Sequence, residues 1–327
     1  MKKILVTGSA GFIGSHLVGA LVKNNYEVKA LVHYNSRRSI GNLRFIDKRV
    51  LKNLDLIFGN VEDAYFIKKI SKGMDVVMHL AALIGIPYSY DAVGSYINTN
   101  IIGTHNVLQA ALENDVAQVI HTSTSEVYGS AEYTPIDERH PLKGQSPYSA
   151  TKIAADKLAE SFHRSFGLKV STVRPFNTYG PRQSTRAIIP TIVIQIVKGK
   201  ERIDIGSDYP VRDFTYVEDT ILAFLAAIDN SRSVGEVINI GFGKGITVRE
   251  LAEMINNILG RRKITFASIK ERVRPKKSEV ERLICNNQKA KSILGWQPRV
   301  KLETGLKKVV EFIKENKAFY RGEGYIK

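Results

Sequence analysis

The sequence has almost no cysteine, and that scarcity limits the class of protein it can encode. Cys285 is the single cysteine among 327 residues, so no internal disulfide can form. A chain without disulfides fits a reducing compartment, and we expect a cytoplasmic protein rather than a secreted disulfide scaffold. The seven histidines and one cysteine do not cluster at metal-ligand spacing, so we expect no metal site.

Long apolar runs are missing as well. No stretch approaches the roughly 20 consecutive apolar residues that a transmembrane helix requires, and we expect no membrane partner. The first residues, Met1 to Gly8, lead directly into a strand and a glycine turn, which is unlike a signal peptide. Internal repeats and low-complexity segments are absent from the sequence too.

What the chain does contain is a globular composition with an excess of positive charge. Apolar residues make up 43% and charged residues 24%, and 327 residues allow two domains or one large α/β unit. The 48 Lys and Arg outnumber the 32 Asp and Glu, and the net charge of +16 favours polyanionic partners. The densest basic clusters, at 261–263 and 270–277, accompany no nucleic-acid-binding motif. We therefore expect a phosphorylated small molecule, or a well-solvated surface, rather than nucleic acid.

Three glycines near the start form the first candidate binding site. A short β-run at 3–7 is followed by Gly8, Gly11 and Gly14 and then by an amphipathic helix to about residue 23. Strand, glycine turn and helix in this order are typical of a dinucleotide site, where the pyrophosphate meets the helix N-terminus at Phe12 and Ile13. A glycine triplet alone is a weak signal, but its place directly behind a strand makes it a strong one.

Hydroxyl, carboxylate, phenol and ammonium groups form the second candidate site. A β-run at 119–122 delivers Thr124, Ser125 and Glu126 to its C-terminal end, and the next helix carries Tyr148 and Lys152 four residues apart on one face. A nearby ammonium favours phenolate over phenol, so we expect Tyr148 to exchange protons near neutral pH. The alternative is a helix-surface pair without a role, which the accompanying residues disfavour.

The Gly8-x-x-Gly11-x-x-Gly14 spacing and the Tyr148-x-x-x-Lys152 pair together resemble the extended short-chain dehydrogenase/reductase family, in its NAD-dependent epimerase/dehydratase branch. The resemblance covers nearly the whole chain. It implies an α/β fold: a doubly wound parallel Rossmann-type sheet with a smaller C-terminal α/β substrate-binding region. The dinucleotide-binding domain would span 1–175, with 211–238 returning to it, and the nucleotide-sugar-binding region 176–210 and 239–327. Family members usually dimerise through helices that here contain 103–112 and 148–166, so we expect a homodimer.

The resemblance also implies further cofactor contacts. The second strand, at 27–32, ends without the acidic residue that would bind the ribose hydroxyls of NAD, and His33, Arg37 and Arg38 follow. Arginines can hold a 2′-phosphate, so NADP is favoured over NAD, with solvated loop arginines as the alternative. The remaining expected cofactor contacts follow the third and fourth strands: Asn60, Val61, Leu80, Ala81 and Ala82.

A nucleotide-diphosphate sugar is the substrate that the family resemblance implies. Tyr88 and Ser89, in an expected loop at 85–90, would touch the sugar, with aromatic loop packing as the alternative. The segment Arg174-Pro-Phe-Asn177-Thr-Tyr-Gly-Pro resembles a family element whose Asn binds the substrate phosphates. The family positions of Arg212 and Arg274 imply diphosphate contacts, whereas His79 and Asn100 are expected to be structural.

The triplet Thr124-Ser125-Glu126 resembles that of nucleotide-sugar 4,6-dehydratases. Once a sugar is oxidised at C4, the C5 proton becomes acidic, and Glu126 would remove it as the C6 hydroxyl leaves as water. The returning hydride gives a 4-keto-6-deoxy sugar. The loop at 86–90 and the segment 274–280 resemble those of enzymes acting on UDP- or GDP-linked N-acetylglucosamine.

Other functions remain compatible with the sequence. A Ser-Glu pair also occurs in UDP-glucuronate decarboxylases, and 4-epimerases share the transient 4-keto sugar. An NADP-sensing or RNA-binding protein of the same fold would keep the glycines but lose Tyr148, Lys152 or Glu126. All three residues are present, which favours an enzyme.

Overall fold

The computed structural model describes residues 1–260, 263–269, 273 and 275–320. Its strands, numbered in chain order, are β1 (Lys3–Thr7), β2 (Glu27–His33), β3 (Leu54–Gly59), β4 (Val76–His79), β5 (Gln118–Thr122), β6 (Val170–Pro175), β7 (Asn177–Tyr179), β8 (Arg202–Ile205), β9 (Val211–Tyr216), β10 (Val237–Ile240), β11 (Gly245–Thr247), β12 (Thr265–Ser268) and β13 (Arg282–Leu283).

Helices alternate with these strands along most of the chain. They are α1 (Phe12–Lys23), α2 (Lys48–Lys52), α3 (Ala64–Ser71), α4 (Ile86–Asp91), α5 (Val93–Tyr96), α6 (Gly103–Glu113), α7 (Pro147–Phe166), α8 (Ile188–Val197), α9 (Val217–Ala227), α10 (Val248–Ile258), α11 (Gln288–Leu294) and α12 (Leu302–Glu315). A π-helical turn, Ile97–Ile102, joins α5 to α6, and short 3₁₀ turns occur at Gly41–Phe45, Ser125–Tyr128, Ser231–Ser233 and Lys276–Ser278.

The central sheet of the described chain has seven strands in the order β10-β6-β5-β4-β1-β2-β3. Every pairing in it is parallel. The strand order reverses between β1 and β4, and open α/β sheets bind ligands beyond the carboxyl ends of the strands at such a point. The doubly wound, Rossmann-type α/β class expected from the sequence is confirmed.

Helices cover both faces of this sheet, which explains why its strands are apolar along their whole length. Ile4, Leu5 and Val6 of β1 have no exposed surface at all. α1 packs with α9 on one face, and α6 packs with α3 and α7 on the other. The C-terminal helices α8, α10 and α12 continue the first of these two cores.

The C-terminal part of the chain contributes to two smaller sheets and also returns to the large one. β9 pairs with β7, β11 and β13, and β8 pairs with β12. β10 adds to the large sheet beside β6, so the strand Val237–Ile240 runs across residue 238, where the sequence suggested a boundary. The segment 211–238 therefore contributes β9 to a small sheet and β10 to the large one.

Helix α7 begins and ends at residues suited to those positions. The Ser146 hydroxyl accepts a hydrogen bond from the Ser149 amide, and Pro147 occupies the first helical position. Gly167 ends the helix with a φ of 72°, in the left-handed region. These boundaries place Tyr148 and Lys152 in the first two turns of the helix. Within the described residues, no helix has both the length and the apolarity to cross a bilayer.

Candidate functional site

The glycine turn between β1 and α1 is closely packed against the neighbouring strand exits. Gly8 has a φ of +69°, and a Cβ there would lie 2.8 Å from the Ala81 amide nitrogen. A Cβ on Gly14 would lie 2.2 Å from the Gly8 carbonyl oxygen, so the helix can approach the turn only without a side chain at this position. The Gly11 amide donates to the Gly8 carbonyl at 3.0 Å and closes the turn.

This turn fits the pyrophosphate of a dinucleotide. The first N–H groups of an α-helix have no acceptor within the helix, and the dipole gives that end a partial positive charge. α1 presents this end at Phe12 and Ile13, and its N-cap Gly11 makes no side-chain cap hydrogen bond. The missing Cβ atoms of Gly8 and Gly14 let the turn pack directly against the exit of β4 and against the start of α1.

The other expected cofactor residues lie at the carboxyl ends of β2, β3 and β4. The Thr7 hydroxyl accepts from the amides of Leu80 and Ala81, at 3.1 Å each, and ties the exits of β1 and β4 together. Of the other expected cofactor residues, Ala82 and Asn60 are partly buried, Val61 is buried, and His33 and Arg37 are exposed. The strand order reverses between β1 and β4, so Leu80, Ala81 and Ala82 follow one of the two strands at that point.

The exit of β5 brings Thr124, Ser125 and Glu126 into a tight 3₁₀ turn, Ser125–Tyr128. The Thr124 hydroxyl caps this turn by accepting from the Glu126 amide at 3.3 Å. Ser125 is only 3% exposed, whereas Thr124 and Glu126 are half-buried. The hydroxyl and carboxylate groups that the sequence placed together are therefore held on one short turn.

Tyr148 and Lys152 lie against this turn from helix α7. Tyr148 is 6% exposed and Lys152 is 4% exposed. Burial raises the pKa of Tyr148 above its ordinary value; a hydrogen bond with Thr124 opposes that shift, and the charge of Glu126 adds to it. Helix α7, which carries Tyr148, packs against the turn that carries Glu126.

The expectation that Lys152 favours the phenolate form of Tyr148 stays a prediction. The Lys152 ammonium donates to the Thr122 carbonyl at 2.7 Å, and burial lowers its own pKa to about 8, while the charge of Asp156 raises it. In the chain by itself, burial is the largest influence on the pKa of Tyr148, and it favours the neutral phenol.

Tyr96 and Arg186 belong to the site, although the sequence did not indicate either. The rings of Tyr96 and Tyr148 meet edge to face with 6.2 Å between centroids. Burial raises the pKa of Tyr96 to about 12, the Arg186 guanidinium opposes that shift, and the Tyr96 hydroxyl donates to the Gly85 carbonyl. Their spacing along the chain carries no motif, so only the fold reveals that they meet.

The expected sugar-contacting loop is instead a helix, α4, with Pro87 in its first turn. Ser89 is fully buried, and its hydroxyl donates to the Ile86 carbonyl at 2.7 Å. This placement argues against a sugar contact by Ser89, because the hydroxyl already bonds within its own helix. Tyr88 is 37% exposed and its ring lies 6.1 Å from that of Tyr96, so it borders the site.

The two described phosphate candidates lie on neighbouring strands. Asn177, in β7, donates to the Asp213 carbonyl at 3.4 Å and is half-buried. Arg212, in β9, is 7% exposed and donates to Glu279 at 3.4 Å. Arg274 lies outside the described residues. Among the residues that the structure does describe, no cluster of histidine, cysteine and carboxylate side chains could hold a metal ion.

The two expected structural residues are both buried and hydrogen-bonded. His79 lies between the Thr7 hydroxyl, at 2.8 Å, and the Thr104 hydroxyl, at 3.0 Å. Asn100, in the π-helical turn, accepts from the Leu83 amide and donates to the Thr151 hydroxyl. Asn100 thereby joins the exit of β4 to the helix that carries the Tyr-Lys pair.

Comparison with known proteins assigns the family. Residues 5–309 match the GDP-mannose 4,6 dehydratase family. The chain belongs to this family of extended short-chain dehydrogenases/reductases. Two relatives align with nearly the whole length of this chain. A putative UDP-glucose 4-epimerase of Methanocaldococcus jannaschii is 33% identical, covering 96% of this chain and 99% of the relative. A dTDP-glucose 4,6-dehydratase of an Actinoplanes species is 32% identical, covering 97% and 99%.

Solved structures of a dehydratase and of an epimerase resemble this chain to a similar degree. DesIV, a dTDP-glucose 4,6-dehydratase from Streptomyces venezuelae with NAD and TYD bound, has a TM-score of 0.84 at 31% identity, covering 98% of this chain and 99% of DesIV. A UDP-glucuronic acid 4-epimerase from Bacillus cereus, with UDP-glucuronic acid and NAD, has a TM-score of 0.87 at 31% identity, covering 96% and 99%. Similarity alone therefore does not separate dehydratase from epimerase.

The packing of the glycine turn gives a testable prediction. Gly14→Ala places a methyl group against the Gly8 carbonyl, so we expect a loss of about 1–3 kcal/mol in the free energy of unfolding, measured by urea titration. Gly94→Ala is the matched control: it lies in helix α5 with nothing within 4 Å of the added Cβ, and it should stabilise the protein by up to about 1 kcal/mol. Equal unfolding midpoints for the two variants would contradict this account of the turn.

Proposed function

We propose that this family member is a nucleotide-sugar 4,6-dehydratase that works with bound NAD or NADP. The observation that carries the proposal is the position of Glu126. Its carboxylate stands at the exit of β5, on the turn that faces Tyr148, close enough for its charge to raise the phenol pKa. A base beside the proton-transferring tyrosine can act on the carbon next to the newly formed ketone.

The dinucleotide would be held by the glycine turn, with Tyr148 and Lys152 beside its reactive end. When bound, the nicotinamide supplies the hydride chemistry, accepting hydride from C4 and returning it at C6. The protein supplies the proton transfers and the orientation. Lys152 is already fixed by the Thr122 carbonyl, so its ammonium needs no reorganisation to contribute positive charge near the phenol.

The chain's own residues then divide the remaining steps. Tyr148 takes the proton of the C4 hydroxyl as that carbon is oxidised to a ketone. Glu126 removes the proton from C5, the C6–O bond breaks, and the hydroxyl leaves as water with a proton returned by the same carboxyl group. A hydride at C6 and a proton at C5, balanced by the one that Tyr148 took from the C4 hydroxyl and now gives up, complete a 4-keto-6-deoxy sugar, so the net change is the loss of one water.

A 4-epimerase is the second candidate, because epimerases are as similar to this chain as dehydratases are. In an epimerase, the 4-keto sugar only has to rotate, so that hydride returns to the opposite face of C4. A carboxylate beside C5 has no part in that reaction. Glu126 is therefore the residue that favours dehydration over epimerisation.

Incubation with candidate substrates tests the reaction class. We expect UDP- or GDP-N-acetylglucosamine to lose the mass of one water, measured by mass spectrometry of the nucleotide sugars. UDP-glucuronate belongs in the same experiment, because loss of carbon dioxide from it would identify a decarboxylase instead. A product of unchanged mass with inverted C4 would identify an epimerase and contradict the proposal.

Substitution of Glu126 tests the role of the carboxylate. Glu126→Gln should still allow reduction of the bound cofactor, seen as absorbance at 340 nm, but should slow water loss by about 100-fold or more because the base is gone. Glu132→Gln is the control, since Glu132 is an exposed carboxylate paired with Lys143. Elimination by Glu126→Gln at the rate of the parent enzyme would show that another group removes the C5 proton.

The form of the cofactor rests on a separate observation. β2 ends at His33 without an acidic residue. The Asn35 side chain closes the following loop by hydrogen-bonding with the backbone of His33 and Ser39. Exposed Arg37 and Arg38 lie within that loop, which favours the 2′-phosphate of NADP. The similar dehydratase and epimerase structures carry NAD, which favours the unphosphorylated form.

A binding measurement separates the two forms. If the arginines contact a 2′-phosphate, NADP⁺ should bind more tightly than NAD⁺, and the double substitution Arg37→Ala/Arg38→Ala should abolish that preference, as measured by calorimetry. Arg232→Ala, in a distant 3₁₀ turn, is the control for the loss of positive charge. Tighter binding of NAD⁺, unaffected by the double substitution, would mean that both arginines are solvated loop residues.

The expected homodimer is part of the same proposal. Apolar side chains are exposed on the helical elements that would form its interface: Ile97 is 42% exposed, Ile102 45% and Phe166 58%. Burial of these groups against a second copy would remove them from water. The site that we describe is built from a single chain.

A further inference from the structure

Asp156 is a buried carboxylate that the proposed reaction does not use. It lies in helix α7 one turn beyond Lys152, on the same face, and is 5% exposed. Its Oδ2 accepts from the Ser123 hydroxyl at 2.6 Å and from the Arg174 guanidinium at 2.7 Å. Its Oδ1 lies 3.0 Å from His121 Nε2. These contacts connect α7 to both β5 and β6.

The network has a direct effect on the end of β5. Ser123 stands between Thr122, whose carbonyl accepts from the Lys152 ammonium, and Thr124, whose hydroxyl bonds with Tyr148. Ser123 is fixed twice, because its hydroxyl donates to Asp156 and also accepts from Arg174 Nε at 3.1 Å. Asp156 therefore holds the backbone against which the Lys152 and Tyr148 side chains are aligned.

Arg174 completes the network from β6. It is 2% exposed, its guanidinium donates to the Tyr128 hydroxyl at 2.6 Å, and it stacks over the Tyr128 ring at 4.8 Å. The Tyr128 hydroxyl in turn donates to Asn239 in β10 at 2.7 Å. One connected set of polar groups thus reaches from the catalytic helix to the outer strand of the sheet.

Charged and titratable groups surround Lys152 on its own helix and on three strands. Asp156 and Tyr148 share its helix, His79 and His121 lie on β4 and β5, and Arg174 pairs with Asp156 from β6. Burial lowers the pKa of both histidines, which favours their neutral forms, and it also lowers that of Lys152. Among these neighbours, Asp156 is the one whose negative charge opposes the desolvation of the ammonium.

We propose that Asp156 is a positioning residue for the Tyr148–Lys152 pair: with Ser123 and Arg174 it fixes the end of β5 on which the Lys152 ammonium rests, and it places a carboxylate one helical turn beyond Lys152 on the same face. The inference deepens the proposed function, since it concerns the same pair of side chains. It does not depend on which sugar is the substrate, because it describes groups within the chain.

The titration of Lys152 tests the proposal without any sugar. The full-length protein is labelled with ¹³C at lysine Cε, and the Lys152 signal is assigned by its disappearance in Lys152→Met. We expect Lys152 to be charged at pH 7 in the parent protein. In Asp156→Asn, its apparent pKa should fall by about one to three units, the range typical of the loss of a nearby opposite charge.

Two further variants separate charge from fold. Ser123→Ala removes the hydroxyl between Asp156 and Arg174 but keeps every charge, so Lys152 should titrate as in the parent. Asp156→Asn alone leaves the Arg174 charge buried and unpaired, which can unfold a protein. The pair Asp156→Asn/Arg174→Gln avoids that cost and should still lower the Lys152 pKa, by less than Asp156→Asn does, because a positive charge is removed together with the negative one.

The outcomes are distinct. A Lys152 that is uncharged at pH 7 in the parent, or one whose titration is unchanged in a folded Asp156 variant, would overturn the proposal. An equal shift in Ser123→Ala would overturn the charge assignment. If the Lys152 pKa falls as expected but no sugar nucleotide loses water, then Asp156 holds the role proposed here and the proposed reaction is the part that fails.

Discussion

The buried pairing of Asp156 with Arg174 is the interaction on which the geometry of the site depends. It joins the catalytic helix to β6 and, through Ser123, to the exit of β5. Burying two charges costs several kcal/mol for each ion, and their attraction roughly repays that cost, so such a pair contributes little net stability. The pair instead fixes the relative position of the elements that it joins. Strand exit and helix are held in one arrangement, which brings Thr124, Glu126, Tyr148 and Lys152 to the same edge of the sheet.

The two halves of the site solve different physical problems. At the exit of β1, the absence of side chains at Gly8 and Gly14 lets backbone approach backbone and leaves helix N–H groups facing outward. At the exit of β5, by contrast, the side chains of Tyr148 and Lys152 are buried, and desolvation shifts the pKa values of both. The Thr7 hydroxyl bonds the amides of Leu80 and Ala81 at the exit of β4, and Asn100 bonds both Leu83 and the Thr151 hydroxyl of α7, so hydrogen bonds connect the two halves.

The features that were predictable from the sequence are those with a local pattern. The strand, glycine turn and α1 follow one another within about 20 residues, and Tyr148 and Lys152 lie on successive turns of one helix. The pairing of Arg174 with Asp156 spans 18 residues and depends on how α7 packs over β6, so no local sequence pattern indicates it.

Ser89 looked like a loop hydroxyl because Gly85 and Pro87 suggest a turn, yet Pro87 lies in the first turn of helix α4 and the hydroxyl is buried. Tyr96 was missed because aromatic residues in helices usually pack in cores.

The central claim is that one carboxylate stands beside a sugar that is oxidised at the neighbouring carbon. The most direct measurement is a crystal structure of the Tyr148→Phe variant with the cofactor and a nucleotide sugar bound. The account predicts that a Glu126 carboxylate oxygen lies within about 3–3.5 Å of C5, on the side that carries its hydrogen, with the C4 hydroxyl facing residue 148. A sugar whose C5 hydrogen points away from Glu126, with that carboxylate turned out of the pocket, would contradict it.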